Sequence, residues 1–134
     1  MLFRHLDLDG SVEARQVLGE EYAAAVSSSI MSPGLLRTTL YPDQHTTRTF
    51  EIPACGSMLI AERTAEHESF FDEDLEAVFF DEEEELIEKA AYYAKRPDLQ
   101  EKIAAAGYQR CITSGYSYTE RLRPVVAKVA SRLS

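Results

Sequence analysis

Side chains able to grip an anion or a sugar crowd into residues 43–51: Asp43, His45, Thr46, Thr47, Arg48 and Glu51. The stretch reads DQHTTRTFE and continues as IPACG, the pattern of a short helix from about Thr46 to Cys55, stopped by Gly56. The first N–H groups of a helix lack internal partners and sit at the positive end of its dipole, so such a start favours a phosphate. Arg48 adds a two-pronged donor for the same anion. Thr47 and Glu51, four apart, share one helix face, and the Glu51 carboxylate can accept paired hydrogen bonds from neighbouring ribose hydroxyls. A plainer reading stands beside this one. Asp43 and Thr46 would merely cap the helix, while Arg48 and Glu51 would make ordinary surface contacts, as short motifs often do.

Those side chains need elements to hold them. Leu2, Phe3, Leu6 and Leu8 suit an edge strand or a docked arm. Val12 to Ser28 reads as helical in two pieces meeting near Gly19, with Tyr22, Ala25 and Val26 on the apolar face. IMSPGLLR predicts a short strand that Pro33 and Gly34 confine to an edge. Pro53 should kink or shorten the helix that follows. SMLIAE is an unbroken apolar run of strand length, expected where both faces of a parallel sheet are covered. TAEHESFF predicts a short helix or turn, and EAVFF a third strand. Asp81 is the expected cap of a helix opening on glutamates, which suit the positive end of its dipole. A second helix should start from Asp98, with Leu99, Ile103 and Ala106 on its buried side. A third should start near Thr119, with Pro124 kinking it. Strands alternating with helices predict an α/β fold: a partial Rossmann-like domain of three to four parallel strands flanked by helices, with a helical tail packed on one face or edge.

Composition narrows the function. The chain has 134 residues, which suits one domain spanning residues 1–134 with a real core. Its 23 acidic residues against 14 Lys and Arg give a net charge of -9, and no basic patch is visible, which argues against nucleic acid. The acids concentrate in FFDEDLEAVFFDEEEE, residues 70–85, and read as a solvated face plus a helix start. Cys55 and Cys111 have no CxxC or Cys-His companions, so neither a disulfide framework nor a zinc site is expected. No apolar run resembles a secretory signal or a membrane span, and the cytoplasm is the expected compartment. His5 and His67 read as surface residues. His45 is better placed, but general-base action needs geometry first. Tyr92, Tyr93, Tyr108, Tyr116 and Tyr118 read as helix packing with wet hydroxyl ends. Glu62 and Arg63, just past a strand end, read as a local ion pair at the rim where ligands sit.

DQHTTRTFEIPACGSMLIAERTAEHESFF, followed by FFDEEEELIEKAAYYAKRPDLQEKIAAAGYQRC, resembles the carboxyl-terminal part of a group-1 glycosyltransferase, in particular the CgeB-like (spore maturation protein) branch. The resemblance runs from about Gly19 to Leu133 and is densest between Asp43 and Arg63. It implies the GT-B arrangement: two Rossmann-like domains, with the nucleotide-sugar donor held mainly by the carboxyl-terminal one. The family pattern is a carboxylate, seven residues, then a glutamate. Asp43 falls on the first position, which implies a place near the donor sugar or its phosphates; the family has glutamate there. Glu51 falls on the second, which implies contact with the ribose. His45, Thr46 and Thr47 occupy the turn whose amides approach the diphosphate, and Arg48 is read as a phosphate contact. The glycines common in the wider family between the two acids are absent from QHTTRTF.

The resemblance also implies an amino-terminal acceptor domain and the first strands of the donor domain, more than 134 residues hold. The expectation is therefore about half of a nucleotide-sugar-binding domain, inactive alone, with no catalytic residue, metal or cofactor of its own. A nucleoside diphosphate sugar would be the donor. The competing expectation is a non-catalytic interaction module that kept the fold; its unpaired strand edges would recruit a second copy or a chain carrying the missing half. An acidic receiver-type signalling domain fits less well, because the clustered acids that its magnesium site needs after a first strand are absent.

Overall fold

The structure, a computed structural model, describes residues 16–36 and 42–133. In chain order the elements are α1 (Gly19–Ser27), β1 (Met31–Gly34), α2 (Arg48–Ala54), β2 (Met58–Glu62), α3 (Ala65–Phe70), β3 (Val78–Phe80), α4 (Glu83–Ala94), α5 (Pro97–Thr113) and α6 (Tyr118–Leu133). The strands form one parallel sheet in the order β1-β2-β3. Met31 lies beside Met58 and Gly34 beside Ala61 across the first pair; Ile60 lies beside Val78 and Glu62 beside Phe80 across the second. The α/β architecture with three parallel strands is the one the sequence predicts.

β2 is central, and its side chains explain why an unbroken apolar run forms a strand here. Alternate residues of a strand point to opposite faces. Leu59 and Ala61 enter a core with Val26, Ile52, Phe71, Phe79 and Cys111. Met58 and Ile60 enter the other with Val78, Phe80, Tyr93, Ile103 and Ala104. Both faces are therefore covered, and hydrophobic burial favours every side chain from Met58 to Ala61. Pro33, which cannot donate to a ladder, is tolerated because β1 lies at an edge of the sheet among the described residues. α2 is short, with buried Pro53 inside it, and Gly56 adopts the left-handed φ of +81° that stops it.

Several expectations need correction. The cap of α4 is Glu82, not Asp81. The Asp81 amide instead donates to the Glu85 carboxylate at 2.7 Å, one arm of a capping box shifted by a residue. α5 begins with Pro97 at its first turn and Arg96 as cap, so Asp98 sits inside it; proline is pre-set for that position. In α1 the buried residue is Val26, whereas Ala25 is exposed. The helical tail divides: α5 packs against α2 and β2, while α6 buries none of its residues. The expected arm at residues 1–10 and the first helical piece before Gln16 lie outside the described residues.

Candidate functional site

Two parallel crossovers bring the carboxyl ends of β1 and β2 together with the start of α2, and polar side chains then pin that corner. Glu62, the last residue of β2, accepts the Leu36 amide with both carboxylate oxygens at 3.0 Å, tying the exit of β1 to the exit of β2. Thr64 caps α3 by accepting the His67 amide at 3.0 Å, and its hydroxyl donates to the Gln44 carbonyl at 2.7 Å. His45 pairs with Glu66. The segment before α2 is thus fastened to α3.

A buried relay continues beneath it. The Thr46 amide donates to Thr49 Oγ1 at 3.2 Å, and Thr49 Oγ1 lies 2.9 Å from His67 Nε2. On the other side of the ring, Nδ1 is 2.6 Å from the Glu62 carbonyl. A carbonyl can only accept, so Nδ1 carries the proton and Nε2 accepts from the threonine hydroxyl. His67 is fully buried and stacks on Phe79 at 5.8 Å. Burial lowers its pKa, with the charge of His45 adding to that and Glu62 and Glu66 opposing it. The expectation that His67 is a surface residue is therefore overturned. Flanked by Glu66 and Glu68, it looks solvated in sequence; the signal that could have found it is Thr64 three residues earlier, whose cap fixes which way the ring turns.

A cleft of about 440 Å3 opens at this corner. His45, Thr46, Thr47 and Glu51 line it, so four of the six residues singled out in the sequence converge on one space. Asp43 and Arg48 are exposed and stand outside that lining. The amides of Thr49, Phe50 and Glu51 are already bonded to the carbonyls of Thr46 and Thr47. Thr46 Oγ1 is buried without a hydrogen-bond partner, as is the Tyr22 hydroxyl. Burial raises the Tyr22 pKa, and the nearby Glu51 charge raises it further.

The rest of the cleft was not anticipated. Phe50, Phe70, Tyr116, Tyr118 and Arg121 complete its wall. Phe50 packs against Phe70 at 5.0 Å and Tyr116 at 4.9 Å, and the Tyr116 hydroxyl donates to the Phe70 carbonyl at 3.1 Å. The Arg121 guanidinium sits over the Tyr116 ring, 5.4 Å from its centre. Tyr116 and Tyr118, read as helix packing, are cleft walls instead. Tyr93 fits the packing half of that reading, buried, but its hydroxyl donates to Asp74 at 2.9 Å.

Glu62 and Arg63 do not pair with each other. Arg63 grips Glu73 with two nitrogens at 2.6 and 2.7 Å and also reaches Glu68 and Asp81, each at 3.1 Å. The Glu73 carboxyl is held below its ordinary pKa chiefly by Arg63, with Lys89 adding to it. Part of the acidic run is therefore a structural lock between β2, β3 and α4, while Asp72, Asp74 and Glu82 to Glu84 are solvated as expected. Both cysteines are unpaired, and burial pushes the Cys111 thiol up to about 11, which keeps it protonated and inert. Among the described residues no group of His, Cys, Asp and Glu could hold a metal ion, and no helix is long and apolar enough to cross a membrane.

No curated protein and no solved structure matches the chain. The family model described as glycosyl transferase-like matches residues 5–127, nearly the whole sequence and including every residue of the cleft. The chain belongs to the glycosyl transferase-like family.

Proposed function

We propose that this chain is the nucleotide-sugar-binding part of a GT-B donor domain, of the CgeB-like branch, and that it holds a nucleoside diphosphate sugar in the cleft before α2. The observation that supports this most is the convergence of His45, Thr46, Thr47 and Glu51 on one cleft walled by aromatic rings. Glu51 would accept the ribose hydroxyls, and Tyr116 or Tyr118 would offer a face for the base to stack on. The Thr47 and Arg48 amides, which have no partner among the described residues, would meet the diphosphate together with the Arg48 and Arg121 guanidinium groups. Asp43 would reach the sugar from outside the cleft.

In the reaction of the family, the bond from the sugar's anomeric carbon to the diphosphate breaks and one to an acceptor hydroxyl forms. The hydroxyl proton leaves to a base, and the diphosphate departs with charge that amides and arginines stabilise. One wall of a cleft cannot exclude water or orient two substrates, so this chain alone is read as inactive. It is read as a cytoplasmic protein, which its unpaired cysteines suit. Calorimetric titration with UDP, GDP and TDP tests the site. Saturable heat that disappears in Glu51→Ala is expected, and heat unchanged by that substitution would refute it.

One observation favours a second reading, in which the chain is an interaction module. α6 leaves Leu122, Val125, Val126, Val129 and Leu133 more than half exposed, and these residues recur at helical spacing on one side. Among the described residues, β1 and β3 are also the edges of the sheet. Light scattering decides here: a monomer at all concentrations counts against self-association.

A further inference from the structure

The opposite end of the sheet carries a second groove, of about 550 Å3, that shares no residue with the first. It lies where the chain enters β1 and β2, between the end of α1, the Cys55–Gly56 turn and the first half of α5. In its wall is Gln100, only 2% exposed, whose Oε1 has no hydrogen-bond partner. A buried amide oxygen left unpaired is costly, because it has given up water and gained nothing.

The donors on its wall are the Gln100 side-chain nitrogen, the Cys55 thiol and the Tyr108 hydroxyl; the serine hydroxyls and turn amides are already engaged. The hydroxyls of Ser27, Ser28 and Ser29 all donate to carbonyls of α1, at 2.8 to 2.9 Å, so what they turn outward is oxygen lone pairs. The amides of Ser28 and Ser29 are bonded to Ala24 and Val26, and those of Cys55 and Gly56 to Glu51, Ile52 and Pro53. α1 ends here, at the negative end of its dipole. Glu101 adds an exposed carboxylate beside Gln100. The serine lone pairs and the Glu101 carboxylate therefore share this space with the first turn of α5 and with an apolar wall that includes Ile30, Ala104 and Ala105.

We infer that this groove binds a guanidinium group on a short aliphatic stem, with Gln100 Oε1 and the Glu101 carboxylate accepting its N–H groups and the stem lying along Ile30 and Ala104. Guanidinium supplies several donors in a fixed plane, carries positive charge and is weakly hydrated, which is the complement of this wall. The inference is independent of the nucleotide-sugar reading, since neither its residues nor its ligand are shared with the cleft.

The group could belong to a free small molecule or to an arginine side chain of a polypeptide. The probes are n-butylguanidinium and N-acetyl-arginine methylamide, titrated into the full chain while backbone amide signals are followed. Saturable shifts at Ser29, Ile30, Cys55 and Gly56 are expected. Gln100→Leu should weaken binding about tenfold, the effect of losing a hydrogen bond to a charged group. That variant removes an unpaired buried polar atom and should fold. Glu101→Gln, at an exposed position, should weaken binding by a smaller factor. Tighter binding of the arginine derivative assigns a polypeptide source, and equal binding a free small molecule. Absence of saturable shifts at tens of millimolar probe, an unchanged affinity in Gln100→Leu, or equal binding of neutral n-butylurea would each overturn the inference.

Discussion

The two ends of the sheet differ in how they hold their most deeply buried polar side chains. At the carboxyl end, a relay runs from the Thr46 amide through Thr49 and His67 to the Glu62 carbonyl, and each of those groups has a partner, although the Thr46 hydroxyl beside them has none. At the amino end, Gln100 is as deeply buried as Thr49 and His67, yet its oxygen is bonded to nothing. The contrast teaches that burial by itself does not mark a site. A satisfied network fixes a turn in place; an unsatisfied atom leaves an interaction for something else to complete.

Substitutions that exchange these conditions should have unequal effects. The largest is expected for His67→Ala. It opens a cavity against Phe79 and strands the Thr49 hydroxyl and the Glu62 carbonyl, so a loss of about 2–4 kcal/mol should appear in denaturant unfolding. A stability within error of the parent would mean that the relay does not hold the turn.

The same ring gives the comparison a pH signature. Burial holds the folded-state pKa of His67 below the unfolded value of 6.5. The unfolded chain therefore takes up the proton first as pH falls. The contribution to stability is complete above about 6.5 and is lost progressively below it, towards the lowered folded pKa. Unfolding free energies measured across that range should slope downward with acid in the parent and lose this component in His67→Gln. The amino end has no equivalent. Gln100→Leu should leave stability unchanged or raise it by up to about 1 kcal/mol, because an unpaired buried oxygen is removed in favour of an apolar side chain. Smallest of all, Val126→Ser on exposed α6 should change monomer stability by less than about 0.5 kcal/mol in the same unfolding assay.

How much of this was legible in the sequence follows from where the physics is local. The run from Met58 to Ala61 announces a strand covered on both faces, and Gly56 announces the stop before it, because each depends on its own chemistry. The short helix of the α2 corner was legible as well, since a four-residue spacing is a local rule; its cap was not, because Thr47 stands there and no side chain caps it. His67 was not: nothing within HES distinguishes a solvated histidine from one drawn under Thr49 by the α3 cap. The aromatic wall was hidden for the same reason. Tyr116 and Arg121 reach the cleft only because α5 carries the chain back past Phe70. In α6 the error ran the other way. A tail packed on the sheet was expected, yet the face of Leu122, Val125, Val126 and Val129 is exposed, and periodicity cannot say what, if anything, covers such a face.

The central claim is that the corner before α2 takes a nucleoside diphosphate sugar, and amide shift mapping with UDP and a UDP-sugar tests it most directly. The account predicts saturable shifts confined to residues 43–51 and 116–121, absent in Glu51→Ala, with the groove beside Gln100 silent. No response at millimolar ligand, or a response that survives Glu51→Ala, would contradict it.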